Sequence, residues 1–278
     1  MLRPIANDLS PFGRYAPRGI AASMLEMTRR CSTSWSGMRR AFVMRGIAVR
    51  ALAGRPMDVE AYGARMRLYP YNNTCEKRIL FTPQYFDPAE RRLLAAYAGE
   101  DTRFVDIGAN VGGYTLFMAA LAGPRARILA IEPNPSVFER LTYNIRQNPF
   151  ATVKALDCAV ADREGEITLF LDPRNQGCTS VRISDAGGET IKVHANSLTS
   201  ILTREGYDRI DALKVDVEGA EDVVLEPFFR EAPPALWPRL ILSARSSTGW
   251  SVDLERMLAA YGYREALRSR SNIGWERV

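Results

Sequence analysis

Residues 104–113 read Phe104-Val105-Asp106-Ile107-Gly108-Ala109-Asn110-Val111-Gly112-Gly113, and this stretch decides the fold. Its first four residues are apolar apart from Asp106, which is typical of the end of a buried parallel strand. Three glycines within six residues follow, and the apolar run from Tyr114 to Leu121 then predicts a helix. A strand, a Gly-rich turn and a helix bring backbone N–H groups to the carboxyl edge of a sheet, where open α/β sheets bind small ligands.

The residues of the turn narrow the choice of ligand. A dinucleotide fingerprint has the pattern G-x-G-x-x-G, and its second glycine lets a pyrophosphate approach the backbone. Here that position is Asn110, and Asp106 adds a negative charge that repels phosphate but attracts an ammonium group. These features favour S-adenosylmethionine, a nucleoside derivative without phosphates that carries an amine and a carboxylate. A nucleotide site and a purely structural turn remain the alternatives, since a lone Gly-rich turn is a weak signal.

The composition is that of a globular protein: of 278 residues, 46% are hydrophobic and 25% are charged. The four cysteines are scattered without a C-x-x-C pair, so neither a disulfide framework nor a zinc site is indicated, and a reducing, cytoplasmic location is expected. The longest uncharged apolar stretch, 111–124, is shorter than the ~20 residues that span a bilayer. Since the N-terminus also lacks a signal-peptide pattern, we expect a soluble protein.

The net charge of +5 is unevenly distributed. Residues 1–56 contain ten arginines and only two acids, and Gly54-Arg55-Pro56 is a plausible boundary. We therefore predict a basic N-terminal helical arm over 1–56 and a separate domain over 57–278. Such an arm could contact nucleic acid, an anionic membrane surface or an acidic substrate, but a solvated pair of Arg-rich helices is the simpler interpretation.

From residue 57 onward, predicted strands and helices alternate. A hairpin over 58–69 precedes a helix that begins at Asp87, as N-cap, and Pro88. Ser136 is expected to cap a helix that runs to Asn148. Further strands are predicted over residues 126–131, 152–156, 166–171, 190–193, 210–217, 239–243 and, as a pair, 263–278, and further helices over 20–30, 35–52, 219–230 and 252–261. This alternation predicts an α/β fold with a mainly parallel sheet and helices on both faces.

Glu132 ends the strand that follows the Gly-rich turn, 24 residues after Gly108. In a βαβ nucleoside site, an acid at this place accepts hydrogen bonds from the ribose hydroxyls. A surface glutamate at a strand end is the alternative, but the preceding turn at the right separation favours ribose binding.

A second group of charges lies in the segment Leu213-Lys214-Val215-Asp216-Val217-Glu218-Gly219-Ala220-Glu221. Lys214, Asp216 and Glu218 alternate, so an extended strand would place all three on one face. Because an unpaired buried charge is costly, we expect them at the carboxyl end of the strand, in or beside the cleft. A salt-bridged turn with only a capping role is the alternative.

Three segments, found in this order, resemble the signature segments of the FkbM-type methyltransferase family: residues 104–112, the Ile-Glu-Pro-Asn-Pro of 131–135, and the Leu-Lys-Val-Asp-Val-Glu-Gly-Ala-Glu of 213–221. Residues 159–165 and 261–263 are also similar to family segments. The resemblance covers roughly residues 58–278. It implies the class I S-adenosylmethionine-dependent methyltransferase fold, Rossmann-like in its sheet, and O-methylation of hydroxyls on sugars and other natural products.

The resemblance also assigns cofactor-binding residues by position. Glu132 would hold the ribose, Asp157 would lie beside the adenine, and four residues would hold the methionine portion: Asp106, Gly108, Asn110 and Gly112. Two positions depart from the family pattern. Ser243 stands where a glutamate often ends the strand, and Thr199 stands where an aspartate usually follows the leucine. Both departures are expected near the acceptor side or its supports.

Transfer of a methyl group to a hydroxyl needs alignment of the reactants and removal of a proton, by a base or with the help of a metal. Asp216 is the first candidate for the base or acceptor anchor and Glu218 the second, with Lys214 tuning their ionisation. His194, the only histidine, is an alternative base. Asp216 and Glu218 could instead hold Mg²⁺ or Ca²⁺.

These observations predict an S-adenosylmethionine-dependent O-methyltransferase that acts on a small-molecule or glycan acceptor. One alternative is methylation of RNA or another polyanion through the basic arm, although the arm lacks the interleaved aromatic residues that stack on bases. A second alternative is a non-catalytic protein that binds the nucleoside and a partner. Peripheral membrane contact through the arm is a further option.

Overall fold

The computed structural model describes residues 7–150, 152–171, 175, 179–180, 190–245 and 250–278. Its helices and strands have these bounds, in chain order: α1 Gly19–Arg29, α2 Trp35–Ala51, β1 Met57–Ala61, β2 Ala64–Leu68, α3 Thr74–Phe81, α4 Pro88–Ala95, β3 Arg103–Ile107, α5 Gly113–Leu121, β4 Arg127–Ile131, α6 Pro135–Arg146, β5 Val153–Leu156, β6 Ala159–Ala161, β7 Gly165–Leu171, β8 Thr179–Ser180, β9 Thr190–Ser197, α7 Leu198–Arg204, β10 Ala212–Val215, α8 Glu221–Glu231, β11 Leu240–Ala244, α9 Leu254–Ala260, β12 Tyr263–Arg268 and β13 Asn272–Arg277.

The central sheet has seven strands in the order β12-β13-β11-β10-β3-β4-β5. The five strands from β11 to β5 run parallel, and β13 pairs antiparallel with both β11 and β12. The predicted α/β fold with a mainly parallel sheet is therefore confirmed. In this order β3 lies between β4 and β10, although β10 comes more than 100 residues later in the chain. The carboxyl ends of the three strands consequently meet at one edge.

Successive residues of the central strands enter two different cores, one on each face of the sheet. Phe104 packs with residues of α3, α4 and α5, whereas the next residue, Val105, packs with residues of α7, α8 and α9. Both side chains are fully buried. Helices thus cover both faces, as predicted, and the central strands are accordingly mostly apolar along their length.

The strands predicted over 166–171 and 190–193 belong to a separate sheet of order β6-β9-β7-β8. β9 is longer than expected and runs from Thr190 to Ser197. Of the loop that the sequence places between these strands at 175–177, only Asn175 is among the described residues. Its side-chain Oδ1 accepts a hydrogen bond from the backbone N–H of Thr74, 3.0 Å away.

The N-terminal part contains the two predicted helices, α1 and α2, and the predicted hairpin, β1 and β2. The hairpin holds a buried ion pair, in which Arg67 Nε lies 2.6 Å from Asp58 Oδ1. Arg67 also donates to the backbone carbonyls of Asp8, Ser10 and Pro11, so this guanidinium ties the start of the chain to the hairpin. None of the described helices is both long enough and apolar enough to cross a membrane.

One of the two predicted helix caps is confirmed in position and the other is wrong. Asp87 is the N-cap of α4, directly before Pro88, but it has a left-handed backbone, with φ of 44°, and its side chain makes no cap hydrogen bond. Its carboxylate instead accepts from Arg78 and Tyr114. The cap of α6 is Asn134 rather than Ser136, because Pro135 occupies the first helical position and the Asn134 side chain reaches the N–H of Ser136.

Candidate active site

The Gly-rich turn after β3 is built from left-handed backbone. Gly108, Asn110 and Gly112 have φ values of 72°, 52° and 94°. A side chain on Gly108 would place its Cβ 1.9 Å from the carbonyl oxygen of Asp216, so only glycine fits between β3 and the end of β10. Asparagine tolerates the left-handed region at position 110 better than most residues. Its Oδ1 accepts from the N–H of Val111 and from Asn73 Nδ2.

Glu132 follows β4 and lies directly beside this turn. One carboxylate oxygen accepts from the backbone N–H of Asn110 and the other from that of Asn134, each at 2.9 Å. The side chain is buried. Burial raises the pKa of Glu132 to about 7, against the opposite effect of these two hydrogen bonds. Because a carboxylate has about four acceptor sites, each oxygen retains acceptor capacity for a hydroxyl donor.

A buried lysine links β3 and β10. Lys214 is the register partner of Asp106 in the parallel pair, and its Nζ lies 3.3 Å from Asp106 Oδ1 and 3.5 Å from Asp216 Oδ2. Burial alone would lower the pKa of Lys214, but the two carboxylates outweigh it and raise the pKa above its usual value. Asp106 is fully buried and also accepts from Thr115 Oγ1 at 2.6 Å. The positive charge of Lys214 thus compensates the negative charges of two carboxylates, that of Asp106 inside the sheet and that of Asp216 at its edge.

The turn after β10 carries the other predicted charges. The prediction of an extended strand through 217 is wrong, because β10 ends at Val215 and Glu218 has a left-handed φ of 52°. Glu221 stabilises this turn, since its Oε1 accepts from the N–H groups of Val217 and Gly219, while its Oε2 accepts from Trp250 Nε1. The carboxylates of Asp216 and Glu218 are thereby held at the sheet edge.

A cavity of about 420 Å³ lies at this edge. Six of the predicted site residues line it: Gly108, Asn110, Glu132, Lys214, Asp216 and Glu218. Two other predicted site residues do not line the cavity but lie beneath residues that do. Asp106 pairs with Lys214, and Gly112 lies in the core, where an added Cβ would be 3.0 Å from Leu141. Among the described residues, no group of three or more His, Cys, Asp and Glu side chains is close enough to hold a metal ion.

Asp157 and His194 lie elsewhere. Both are exposed and line a neighbouring surface groove against the first turn of α6, and Pro133 is the residue that this groove shares with the cavity. His194 Nε2 lies 3.7 Å from Oε1 of Glu164, which is in the segment between β6 and β7. The structure therefore does not bring His194 to the carboxylates at the sheet edge, and the assignment of Asp157 to the adenine stays a prediction.

The cavity has a wall that the sequence did not predict. It comes from the region around α3 and from the end of the chain, and its members are Asn73, Thr74, Cys75, Arg78, Phe86, Asp87, Tyr114, Asn175, Ala244, Arg245, Arg270, Ser271 and Asn272. Asn73 caps α3 by accepting from the N–H of Glu76 and also donates to Asn110. An asparagine followed three residues later by glutamate is a helix-start pattern, so this signal was present in the sequence.

The two departures from the family pattern lie outside the cavity lining. Ser243 is fully buried in β11, and its Oγ accepts from Trp275 Nε1 at 3.3 Å. Thr199 lies in the first turn of α7, which is capped by Ser197. Ser243 is the register partner of Val215, which lies between Lys214 and Asp216 in the chain. The expectation that the two departures lie near the acceptor side or its supports stays a prediction, and Ser243 directly precedes Ala244 and Arg245, which line the cavity.

The strand order and the place of the cavity define the class of protein. A parallel sheet in which β3 is flanked by β4 and β10, with an antiparallel hairpin at one edge, is the arrangement of the class I S-adenosylmethionine-dependent methyltransferase fold. The cavity lies outside the carboxyl ends of these strands, where open α/β sheets bind their ligands.

The chain belongs to the FkbM methyltransferase family, because the methyltransferase FkbM domain matches residues 106–264, more than half of the sequence. The matched region contains the Gly-rich turn, Glu132 and the 213–221 segment. Family membership confirms the resemblance found in the sequence, and S-adenosylmethionine is the cofactor of this family.

Two curated relatives show how far the similarity extends. Methyltransferase sdnD of Sordaria araneosa is 32% identical over 152 residues, which cover 44% of this chain and 58% of that protein. Hexuronic acid methyltransferase AglP of Haloferax volcanii is 33% identical over 135 residues, which cover 49% of this chain and 53% of that protein. The chain thus spans a little over half the length of these relatives. The crystal structure of a methyltransferase FkbM from Methylobacillus flagellatus aligns with a TM-score of 0.41 and 14% identity, over 85% of this chain and 60% of that one.

Proposed function

We propose that this protein transfers the methyl group of S-adenosylmethionine to a hydroxyl of a sugar or another small natural product. One observation carries the proposal: a single cavity combines the Gly-rich turn, a buried ribose-type carboxylate at Glu132, and the carboxylates of Asp216 and Glu218 beside Lys214. The first two features suit the cofactor, and the last suits an acceptor that must lose a proton.

The residues present fit the cofactor. Gly108 lets the turn pack closely against the end of β10, and the Glu132 carboxylate, held by two backbone N–H groups, retains acceptor sites for the two ribose hydroxyls. We assign the ribose to Glu132 and the methionine portion to Gly108 and Asn110, with Asp106 and Gly112 supporting the turn. When bound, S-adenosylmethionine supplies an electrophilic methyl group on its sulfonium.

Side chains of the protein anchor the acceptor and remove its proton. Asp216 is 40% exposed at its side chain, so its carboxylate can reach an acceptor hydroxyl and take its proton as the oxygen attacks. Lys214 orients this carboxylate from the buried side, at 3.5 Å. Glu218 lines the same cavity and serves as the second anchor for the acceptor. Holding both reactants in line is worth up to ~7–11 kcal/mol, so alignment provides much of the expected rate.

The polar wall around the acceptor half supports a hydroxylated substrate. Asn175, Asn272, Arg245 and Arg270 line it and offer donors and acceptors that suit a sugar. A volume of about 420 Å³ falls within the range of small-molecule sites, ~300–1,000 Å³. The name of the AglP relative, a hexuronic acid methyltransferase, is consistent with this acceptor class.

Cofactor binding and methyl transfer are tested in separate experiments. Calorimetric titration of S-adenosylmethionine should give binding to wild type and roughly 10- to 100-fold weaker binding to Glu132→Gln, because hydrogen bonds to a charged group are lost. Glu60→Gln, on an exposed side chain, is the matched control and should bind like wild type. Equal affinity of all three proteins for S-adenosylmethionine would contradict the assignment of Glu132 to the cofactor.

Transfer is followed with methyl-tritiated S-adenosylmethionine over a panel of uronic acids, glycosides and polyhydroxylated lipids. Asp216→Asn should lose about 10²–10⁴-fold in rate while cofactor affinity stays unchanged. Asp208→Asn, on an exposed side chain, is the control. Tritium transfer to RNA that disappears when residues 1–56 are deleted would favour the polyanion alternative, and cofactor binding without any transfer would favour a non-catalytic role.

We further propose the division into an arm over 1–56 and a methyltransferase domain over 57–278, and a cytoplasmic location. In the described part of the chain, Cys31, Cys75 and Cys158 are free thiols, which suits a reducing compartment. Expression with a fluorescent tag and fractionation of the host cell test the location.

A further inference from the structure

Exposed apolar side chains are concentrated at the N-terminal helices. Within the described ranges, ten large apolar side chains are exposed, and seven of them precede residue 48: Leu9, Ile20, Met27, Trp35, Phe42, Val43 and Ile47. Single exposed apolar residues are ordinary, but a cluster of this kind marks an interaction surface.

Helix α2 presents this cluster as a regular stripe. Its inner side is formed by the buried residues Gly37, Ala41 and Ala48. The opposite side carries five residues at spacings of three or four, which share one face of a helix: Trp35, Arg39, Val43, Ile47 and Arg50. The three apolar members are 74%, 61% and 49% exposed. We call these five residues the α2 stripe.

The charges around the stripe have one sign. Helix α2 contains four arginines and no acid. The guanidinium of Arg39 lies 5.6 Å from the centre of the Trp35 ring, and that of Arg45 lies 4.5 Å from the Phe42 ring. The one acid of α1, Glu26, pairs with Arg30 at 2.7 Å. The helix pair therefore presents apolar side chains within a positively charged surface.

The inner side of the helix pair is held firmly by the rest of the chain. Arg29 donates to the carbonyls of Leu80 and Glu60, and Gln84 donates to that of Thr28. Tyr85 donates to the carbonyl of Ser32 at 2.6 Å. These contacts hold α1 and the segment after it. Helix α2 is held in turn, because its buried Ala48 belongs to the main core and the Phe42 ring packs edge-on against Tyr85, with ring centres 6.2 Å apart. The stripe on the opposite side of α2 therefore faces outward.

Charge and chemistry identify the partner. Apolar and aromatic side chains mixed with arginine are the composition of helices that lie in the headgroup region of an anionic bilayer. A second copy of the chain would place one Arg-rich face against another, so like charges would repel. RNA would use aromatic platforms, whereas Val43 and Ile47 are aliphatic and cannot stack on bases.

We propose that the α2 stripe docks the protein on anionic lipid surfaces, with Trp35, Val43 and Ile47 entering the headgroup region and Arg39 and Arg50 contacting lipid phosphates. This inference is independent of the proposed function, since it uses neither the cavity nor the cofactor. It also explains why an arm so rich in arginine leaves apolar side chains in solvent.

Co-sedimentation with vesicles tests the proposal, using phosphatidylcholine alone and phosphatidylcholine with about 30 mol% phosphatidylglycerol. The full chain should bind the anionic vesicles, and added salt should weaken the binding. Each arginine near such a surface strengthens binding about fivefold, so Arg39→Gln with Arg50→Gln should weaken it about 25-fold. Replacing Trp35, Val43 and Ile47 by serine should weaken it on the order of tenfold or more.

Matched controls use residues of the same kind outside the helix pair. Leu121→Ser with Val252→Ser removes two exposed apolar side chains, and Arg163→Gln with Arg264→Gln removes two exposed arginines. Both control variants should bind vesicles like wild type. Quenching of tryptophan emission by brominated lipid should be lost in Trp35→Phe, which reports insertion at the stripe itself.

Several results would overturn the proposal. The first is equal sedimentation with neutral and anionic vesicles, and the second is equal weakening by the stripe and control variants. A third is a dimer in light scattering that the serine variants dissociate while vesicles are not bound, which would make the stripe a contact between copies. The last is stripe-dependent binding to polyuridylate with no binding to vesicles.

Discussion

Replacement of Lys214 by methionine leaves the carboxylate of Asp106 without its cation inside the sheet. Lys214 is 5% exposed at its side chain and Asp106 is 0% exposed, so the pair is almost fully shielded from solvent. Methionine has nearly the volume of the lysine stem and no charge, so the variant isolates the electrostatic contribution from packing. We expect a large loss of stability.

The magnitude follows from the distances. At an effective dielectric constant of ~20, Coulomb's law gives about 5 kcal/mol for a pair at 3.3 Å, and desolvation offsets much of this. Removing one member of a buried pair costs about 3–5 kcal/mol, because the other charge is left uncompensated. The Asp216 contact adds little, since that carboxylate is 40% exposed and water screens it.

Urea unfolding of wild type, Lys214→Met and the double variant with Asp106→Asn measures this effect. The double variant should recover much of the stability at neutral pH, because the stranded charge is gone. Lys154→Met is the control, since Lys154 is 61% exposed, so water screens its pair with Glu205 at 2.8 Å, and the variant should change stability by less than ~1 kcal/mol. A loss in Lys214→Met no greater than in the control would refute the reasoning.

Three other residues, Gly108, Glu132 and Arg67, give further predictions. Gly108→Ala should abolish S-adenosylmethionine binding in calorimetry, because its Cβ would lie 1.9 Å from the Asp216 carbonyl oxygen and the turn must shift; retained affinity would contradict the close-packed turn. Glu132, whose pKa is raised to about 7 by burial, should make cofactor affinity fall about tenfold per pH unit below ~7, as the acceptor carboxylate is protonated. In the free protein the same raised pKa should make stability fall by about 3 kcal/mol as the pH rises from about 4.5 to 7, and Glu132→Gln should lose both dependences in titration and unfolding measurements. Arg67→Leu should cost about 3–5 kcal/mol in urea unfolding by stranding buried Asp58, whereas a cost below ~1 kcal/mol would show that the pair is dispensable.

Local patterns predicted the elements well. The alternation of apolar segments gave the strands and helices of the α/β fold, because burial on both faces of a parallel sheet leaves a continuous apolar run. Caps were predicted less well. Asp87 occupies the predicted N-cap position, but its carboxylate pairs with Arg78 on the preceding helix, α3, instead of with the N–H groups of its own helix. Ser136 was predicted as a cap, but Asn134 caps α6.

The candidate site residues also differ in how well the sequence predicted their positions. Gly108, Asn110 and Glu132 lie in one βαβ unit, whose short connections fix their relative positions, and the cavity contains all three. Asp157 follows a later strand and faces a neighbouring groove. The α3 wall, with Asn73 and Arg78, was missed because its approach to the turn rests on a hydrogen bond between residues 37 positions apart.

The sequence by itself determined the βαβ unit with its Gly-rich turn, the acid after the second strand and the family, since each depends on residue order over a few dozen positions. Only the tertiary structure decided that β10 pairs with β3, that Lys214 therefore serves both Asp106 and Asp216, and that α3 forms a wall of the cavity. The reason is physical. Local chemistry fixes turns and strands, whereas the neighbour of a buried charge is set by the order in which distant strands pack.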